Sequence, residues 1–466
     1  MSEPILFDEA FTFMTYASKP FYVGLSTYSS TNNHLLNTFL VHIAYLLFGN
    51  EPWALRLPAL FAGILLVPTA YVVTRIFFNK DAALLAAGII ACSSPLIRYS
   101  ILARGYSLMF LIFLLLLGLA AYLRQSSNSS AWLLFGTVAA LGFYAMPIMI
   151  YPFGIVVVWL LLSIAFQETS TARGILLKQL FKALLIAGLL ALALYSPIII
   201  MTGLKPIMSQ GHLKPEPWRE YVSTLYPFLR ICWGDWNKDM PVAVSYLLAI
   251  GFPVSLVFHK RISRYRIPVV LAACIWLIPM IFIYRVLLID RVWLFLLPLY
   301  VASASSGLSY IVEPVKAKLG NYRSIAVPVA AIALSLWMGW NVLHTEYIYD
   351  PTGTLRDAEE ITVFLKEYLR PGDRVIVPAA STVLRYYFIL YGVPVGYLSS
   401  DVIEGERILV VENEARQRVE VFVAQQGITL RERYHNAFPN YGAPKPVKKY
   451  KFATIYEIHR KSHAVY

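Results

Sequence analysis

The fold of this chain is decided by three neighbouring N-terminal segments, LFDEAFTF (6–13), STNNHLLNTFLVHIAYLLFG (30–49) and NEPWALRLPALFAG (50–63). Two adjacent carboxylates, Asp8 and Glu9, precede any run of the roughly 20 apolar residues that a membrane-spanning helix needs. A short amphipathic segment follows them, and the first long apolar run begins only after it. This order predicts an acidic loop on a membrane surface, followed by a scaffold of spanning helices.

The composition is that of a membrane protein. Of the 466 residues, 58% are hydrophobic and 14% are charged, whereas soluble domains are usually less than half apolar and about a quarter charged. The net charge of +13 would indicate nucleic acid in a soluble protein. Here the basic residues cluster in short connections between apolar runs, which is the positive-inside pattern, so we exclude nucleic acid as a partner. The three cysteines are far apart and predict neither a disulfide framework nor a thiol metal site.

Apolar runs of spanning length predict about ten transmembrane helices. Basic residues recur in every second connection, which places those connections in the cytoplasm and the alternate ones, including 1–52 and everything after His344, outside. Because nothing visible carries residues 1–52 across, we expect one more spanning helix before Met1 in the natural chain. The predicted spans are approximately 53–77, 82–97, 106–123, 131–147, 148–166, 183–201, 241–258, 267–288, 292–311 and 325–343.

The predicted fold class is an α-helical polytopic membrane protein with a small C-terminal extracytoplasmic α/β domain. Its membrane domain covers 1–343, with 1–52 as an external catalytic loop, and its soluble domain covers 345–466. Segment 34–48 is too short to span at about 1.5 Å per residue and predicts an interfacial helix. In the soluble domain, the periodicity predicts helix, turn and strand in DAEEITVFLKEYLRPGDRVIVPAAS (357–381), strands at RILVVE (407–412) and FATIYEIH (452–459), and a helix at ARQRVEVFVAQQ (415–426).

The acidic pair is the first candidate for chemistry. Asp8 and Glu9 are flanked by Leu6, Phe7 and Phe11, which would keep them at the membrane interface. A carboxylate held there could act as a general base. The alternative is a pair of solvated acids in a frayed terminus.

The second candidate is a set of arginines at the outer ends of spanning helices, where positive charge is disfavoured. Charges kept at membrane depth usually have an anionic partner, and a guanidinium fork suits a phosphate. Each one singly could instead be a structural arginine that reaches for the interface. The four residues are Arg98, Arg104, Arg285 and Arg291.

Further polar residues have less specific signals. Arg56 begins the first span, where an orienting role is favoured, and His34 is either a polar-face anchor or a substrate contact. His34 and His42 have no obvious third ligand, so no zinc site is predicted. Tyr106 completes the ARGY turn (103–106). Two acids, Asp235 and Asp239, stand near two tryptophans, Trp233 and Trp236. Aromatic rings beside carboxylates suit the binding of a sugar, but we favour the interpretation that the tryptophans anchor the chain at the membrane interface.

Taken in order, these motifs resemble the GT-C class of membrane glycosyltransferases, which includes protein O-mannosyltransferases and lipid A aminoarabinose transferases. The resemblance covers 1–343 and implies a loop acid that serves as base or as ligand to an assisting divalent metal. It also implies a polyprenyl-phosphate sugar as donor, with basic residues on outer turns holding its phosphate. Two departures are the missing first helix and the lack of a further acid in RYSILARGY (98–106). The motifs are Asp8-Glu9, NNHLLNTFLVHIAYLLFG (32–49), ALRLPALFAG (54–63), ARGYSLMFLIF (103–113) and DRVWLFLLPLY (290–300).

The expected reaction is inverting transfer of a sugar from the lipid to a hydroxyl of a glycan, lipid or protein at the outer face of the plasma membrane. Asp8 would take the acceptor proton, Glu9 would orient or assist, and Arg104 and Arg291 would stabilise the departing lipid phosphate. Three alternatives stay open: a transporter or flippase of lipid-linked sugars, a ligase or polymerase that uses a diphosphate donor, and a non-catalytic scaffold.

Overall fold

The computed structural model describes residues 1, 3–166, 170–204, 215–318, 323–345, 355–377, 381–399, 406–413 and 444–461. The chain forms two compact units. One contains Pro20–Ala44 and Arg56–Ile348; the other contains Met1–Lys19, Tyr45–Leu55 and Tyr349–Tyr466. The predicted helix at 415–426 lies outside the described residues.

The described part of the chain is mostly helical. Short 3-10 turns occur at Pro147–Met149, Asp290–Phe295 and Val395–Tyr397, and a π turn at Phe13–Ala17. The α-helices are Phe7–Thr12, Phe21–Ser26, Leu35–Phe48, Pro52–Phe77, Lys80–Ala91, Ser94–Ser100, Tyr106–Leu123, Ser129–Ala145, Ile150–Ala165, Ser170–Met201, Trp218–Trp236, Val242–Val257, His259–Ile262, Val269–Tyr284, Leu296–Ala317, Arg323–Leu343, Ala358–Tyr368 and Ser381–Tyr391.

Within the described residues, six helical segments are long and apolar enough to cross a membrane, or seven if one bent pair is counted as a single span. The bent pair, Lys80–Ala91 and Ser94–Ser100, corresponds to the predicted span at 82–97 and turns by 61°. Four shorter apolar helices accompany them. The predicted polytopic helical fold is confirmed, and each predicted span contains a helix. The six are Pro52–Phe77, Tyr106–Leu123, Pro147–Ala165, Thr171–Met201, Asp290–Val315 and Ser324–Leu343.

Local sequence explains where several helices end or meet. Met146 is extended (φ −157°, ψ 133°) because a residue before proline avoids the helical region, so the long apolar run breaks at Pro147. Helices Val242–Val257 and Leu296–Ala317 approach each other closely at Gly251 and Gly307. A Cβ on Gly251 would lie 2.4 Å from the carbonyl oxygen of Ala304, so only a very small residue fits this helix interface.

The C-terminal sheet has strands β1 Arg374–Ile376, β2 Arg407–Asn413, β3 Lys445–Lys449 and β4 Ala453–His459, in the order β1-β2-β4-β3. β1 is parallel to β2, and the other pairs are antiparallel. Its core contains Ile408, Val410 and Ile458.

A buried ion pair accompanies the sheet, with the Arg407 Nε donating to Asp373 Oδ1 at 2.9 Å. Burial alone would raise the pKa of Asp373, but its hydrogen bonds, above all that from Arg407, lower it overall.

Candidate active site

The acidic pair lies in the first turn of helix Phe7–Thr12. Asp8 is half-buried, whereas Glu9 is buried and accepts a hydrogen bond from the backbone N–H of Leu6 at 2.9 Å. Glu9 therefore satisfies an N–H group that the start of a helix leaves without an intrahelical partner. The two acids have different surroundings: Glu9 holds the first turn together, and Asp8 is the more accessible carboxylate.

The acidic helix is anchored on helix Ser381–Tyr391 of the same compact unit. The Ile5 N–H donates to the Tyr387 hydroxyl at 3.2 Å, across 382 residues of sequence. The buried ring of Phe13 meets the Tyr386 ring edge-on, with centroids 5.8 Å apart. The position of Asp8 is therefore set partly by the C-terminal region of the chain.

In the helical unit, the start of helix Leu35–Phe48 binds the ARGY turn. The Gly105 N–H donates to Nδ1 of His34 at 2.8 Å, and the Asn37 side-chain amide donates to the carbonyl of Ala103 at 3.0 Å. His34 and Asn37 are both buried. His34 and Asn37 of NNHLLN therefore face this turn and fix its backbone, whereas the side-chain amide of Asn33 donates to the carbonyls of Gly24 and Thr27.

Tyr106 lies at the centre of a group that we call the Tyr106 cluster: His34, Tyr99, Arg104, Tyr106 and Arg291. The His34 ring meets Tyr106 edge-on at 5.4 Å, and the Tyr99 ring lies 4.9 Å away. The guanidinium carbons of Arg104 and Arg291 each lie 5.9 Å from the centroid of the Tyr106 ring. Two guanidinium groups from distant parts of the chain thus share one aromatic ring.

His34 is a neutral donor in this cluster. Burial, together with the charges of Arg104 and Arg291, holds the pKa of His34 well below its usual range. Since Nδ1 accepts the Gly105 N–H, the ring proton must be on Nε2. The cluster therefore combines two permanent cations with one imidazole N–H, a set of donors that suits an anionic oxygen ligand.

The remaining predicted residues lie in several places. Arg98 is next to the cluster, with its guanidinium carbon 5.9 Å from the Tyr99 ring. Arg56 is fully buried in the first turn of helix Pro52–Phe77. Arg285 contacts a different ring, with its guanidinium carbon 5.4 Å from Trp218, and has a left-handed backbone (φ 49°). Arg104 and Arg291 therefore meet at the Tyr106 ring, whereas Arg285 contacts the Trp218 ring instead.

Sequence reasoning missed three residues of this site. The Tyr99 ring packs against Tyr106 at an interplanar angle of 53°, Asn37 binds the ARGY turn, and Gly105 provides the N–H for His34. Tyr99 and Gly105 stand beside the predicted arginines in RYSILARGY, and Asn37 stands three residues after His34 in the predicted interfacial helix. The available signal was therefore proximity in sequence to residues already singled out.

An apolar cavity of about 420 Å³ lies in the same unit. It is lined by the helix Trp218–Trp236, by helix Val269–Tyr284 and by the 3-10 turn that carries Arg291. Three tryptophans, Trp233, Trp236 and Trp293, contribute to its wall. A cavity of this kind suits an apolar face of a ligand.

Among the described residues, no three His, Cys, Asp or Glu side chains come together in a group that could hold a metal ion.

Comparisons with known proteins support the interpretation of this fold. Residues 16–201 match the family model described as dolichyl-phosphate-mannose-protein mannosyltransferase. A search of curated proteins found no match.

Among solved structures, ArnT from Cupriavidus metallidurans is similar in its apo state (TM-score 0.60) and bound to undecaprenyl phosphate (TM-score 0.61). Each is 12% identical in sequence and covers 98% of this chain and 94% of the ArnT chain. The chain therefore shares the fold of ArnT, and part of it, residues 16–201, matches the mannosyltransferase family model.

Proposed function

We propose that this protein transfers a sugar from a polyprenyl-phosphate donor to an acceptor hydroxyl on the extracytoplasmic side of the membrane, with inversion at the anomeric carbon. The observation that carries the proposal is the Tyr106 cluster, where two guanidinium groups and a neutral histidine N–H surround one ring. ArnT, which shares the fold, binds undecaprenyl phosphate, and this supports a lipid phosphate as the ligand.

The chemistry requires cations where negative charge develops. When the bond between the anomeric carbon and the lipid phosphate breaks, the phosphate leaves with an additional negative charge. Arg104 and Arg291 would stabilise that charge in a site largely shielded from water, where electrostatic stabilisation is strong. The Nε2–H of His34 would add a hydrogen bond to a phosphate oxygen.

The acceptor hydroxyl requires a base, and we assign that role to Asp8. Its carboxylate would take the hydroxyl proton as the new bond to the anomeric carbon forms. Glu9 would orient Asp8 by holding the first turn of the helix through the Leu6 N–H. A lipid phosphate leaves readily, so one base is sufficient, unlike the two carboxyl groups of a glycosidase.

The extracytoplasmic placement rests on charge. The basic residues recur in every second connection between apolar runs, and these connections belong in the cytoplasm. The ARGY turn, the turn at Asp290 and the N-terminal acidic segment then lie on the opposite side. The acceptor, whether glycan, lipid or protein, would be bound from there.

The test is a transfer assay on membranes with radiolabelled polyprenyl-phosphate hexoses and the variant Asp8→Asn. Removal of a general base typically costs about 10²- to 10⁴-fold in rate. We expect a loss of this size with normal expression and normal binding of undecaprenyl phosphate. Glu3→Gln, an acid in the same segment, is the matched control and should retain transfer. Near-full activity of Asp8→Asn would refute the assignment of the base.

A further inference from the structure

Thirteen buried side-chain nitrogen or oxygen atoms in the helical unit have no hydrogen-bond partner among the described residues, and four of these belong to Trp236 and to residues close to it in space or sequence. The four are Nε1 of Trp236, Nε1 of Trp293, the hydroxyl of Tyr300 and Oδ2 of Asp239. A buried polar atom without a partner is costly, and native proteins satisfy more than nine in ten of them. A group of such atoms in one region could be satisfied by water or by a polar ligand.

Three of these four atoms belong to residues in one neighbourhood, and the fourth belongs to Asp239, which stands three residues after Trp236 in the sequence. The Trp236 and Tyr300 ring centroids are 6.0 Å apart, and Trp236 and Trp293 line the same apolar cavity. Asp239 follows the Trp218–Trp236 helix with a left-handed backbone (φ 58°), which is uncommon for a residue other than glycine. The side chain of Asn341 donates to its carbonyl at 3.2 Å, which helps to hold that conformation.

The neighbourhood adjoins the Tyr106 cluster. Trp293 stands two residues after Arg291 in the same 3-10 turn. A ligand whose phosphate is bound at Tyr106 would therefore place the groups attached to that phosphate close to Trp236 and Trp293.

The chemistry of the four atoms selects the ligand. Two indole N–H groups require acceptors, the Asp239 carboxylate requires a donor, and the Tyr300 hydroxyl serves either need. A hydrocarbon chain supplies neither donors nor acceptors, and a phosphate would be repelled by the carboxylate. A sugar ring supplies hydroxyls that both donate and accept, and the aromatic walls provide apolar surface for its C–H faces.

We propose that Trp236, Trp293, Tyr300 and Asp239 bind the sugar ring of the lipid-linked donor. The assignment rests on the proposed function, because the phosphate bound at the Tyr106 cluster is what brings the donor sugar to this neighbourhood.

The test uses Tyr300→Phe, which removes one oxygen, in the full-length protein in lipid nanodiscs. Binding is measured for undecaprenyl phosphate and for undecaprenyl-phosphate glucose, galactose and mannose. We expect affinity for the best sugar-bearing lipid to fall about 2- to 10-fold, the size of one hydrogen bond. Affinity for undecaprenyl phosphate should not change. The melting temperature should not fall, because the lost hydroxyl has no partner among the described residues.

The matched control is Tyr195→Phe, whose hydroxyl donates to the carbonyl of Phe143 at 2.9 Å. Loss of this hydroxyl should lower the melting temperature. It should leave unchanged the ratio of the affinity for the sugar-bearing lipid to the affinity for undecaprenyl phosphate. Trp236→Phe is the second variant and should reduce the same ratio.

Three results would overturn the assignment. An unchanged ratio in Tyr300→Phe would mean that water satisfies the hydroxyl. A raised KM for acceptor with unchanged donor affinity would assign the site to the acceptor. If none of the three sugar-bearing lipids binds more tightly than undecaprenyl phosphate, the site does not recognise sugar. Failure of the proposed function is distinguishable, because Arg291→Gln would then leave the binding of undecaprenyl phosphate unchanged.

Discussion

Replacement of Gly105 with alanine should disrupt the Tyr106 cluster through His34. A Cβ on Gly105 would lie 3.0 Å from Cβ and 3.2 Å from Nδ1 of His34, and 3.3 Å from the carbonyl oxygen of Ala145. The backbone of Gly105 has φ −76°, which alanine adopts without strain. The new methyl group must therefore act by contact. The methyl group would push His34 away from Gly105, whose N–H now donates to Nδ1 of His34 at 2.8 Å.

The expected cost has two parts. Crowding of a packed site costs about 1–3 kcal/mol. Leaving a buried N–H without its acceptor costs about 1–3 kcal/mol. Some relaxation of the turn would reduce the second cost, so we expect the unfolding free energy to fall by about 2–4 kcal/mol. A hydrogen bond from His34 to a charged phosphate contributes about 1.5–3 kcal/mol, and its loss weakens lipid phosphate binding roughly 10- to 100-fold.

The assay measures melting temperature and undecaprenyl phosphate affinity of the purified protein in nanodiscs. Gly188→Ala is the matched control, because a Cβ there meets nothing within 4 Å. In a helix interior this change should be neutral or stabilising. A double-mutant cycle with His34→Ala isolates the mechanism. If Gly105→Ala reduces affinity as strongly in the His34→Ala background as in the wild type, the effect does not pass through His34 and the reasoning is wrong.

Three further changes have defined outcomes. Asp373→Asn leaves the buried Arg407 without its main partner and should cost about 3 kcal/mol, seen as earlier proteolysis of the C-terminal region; because the pKa of Asp373 is lowered, its contribution is present above about pH 4 and is lost on further acidification. The pKa of His34 is lowered in the folded protein, so below about pH 6.5 the imidazole takes up a proton in the unfolded chain but not in the folded one. The melting temperature should therefore fall between about pH 7 and pH 5, and it should fall less in His34→Gln. Tyr387→Phe removes the acceptor of the Ile5 N–H and should lower kcat for transfer with the donor KM unchanged, in the same radiolabelled assay.

The sequence predicts the helical framework well because lipid imposes a simple rule on it. Spans must be long and apolar, and basic residues mark one side, so both can be read from composition. The departures are local. The predicted span at 82–97 is bent by 61° between Lys80–Ala91 and Ser94–Ser100, and the connection between the predicted spans 183–201 and 241–258 contains the helix Trp218–Trp236. Neither changes the overall hydropathy, so neither leaves a clear trace in the sequence.

The candidate site is less readable because its contacts are distant in sequence. The arginines can be singled out by their position at helix ends. The bond from Gly105 to His34 joins residues 71 apart, and no local pattern encodes it. Glu9 gives no capping signal either, because Leu6 stands where a capping serine or threonine would be expected. The unsatisfied atoms of Trp236 and Tyr300 depend on packing and become visible only in coordinates.

The C-terminal region does more than add a soluble appendage, because it holds the acidic segment. Helix Ser381–Tyr391 provides the Tyr387 hydroxyl for Ile5, and Tyr386 packs on Phe13. If Asp8 is the base as proposed, a residue whose only role is to position it should alter turnover and its pH dependence but not the affinity for lipid phosphate. Tyr391→Phe changes the same helix, but its hydroxyl contacts Glu359 rather than the acidic segment, so it should leave turnover unchanged. If both tyrosine variants lower turnover equally, the helix acts through general stability rather than by positioning Asp8.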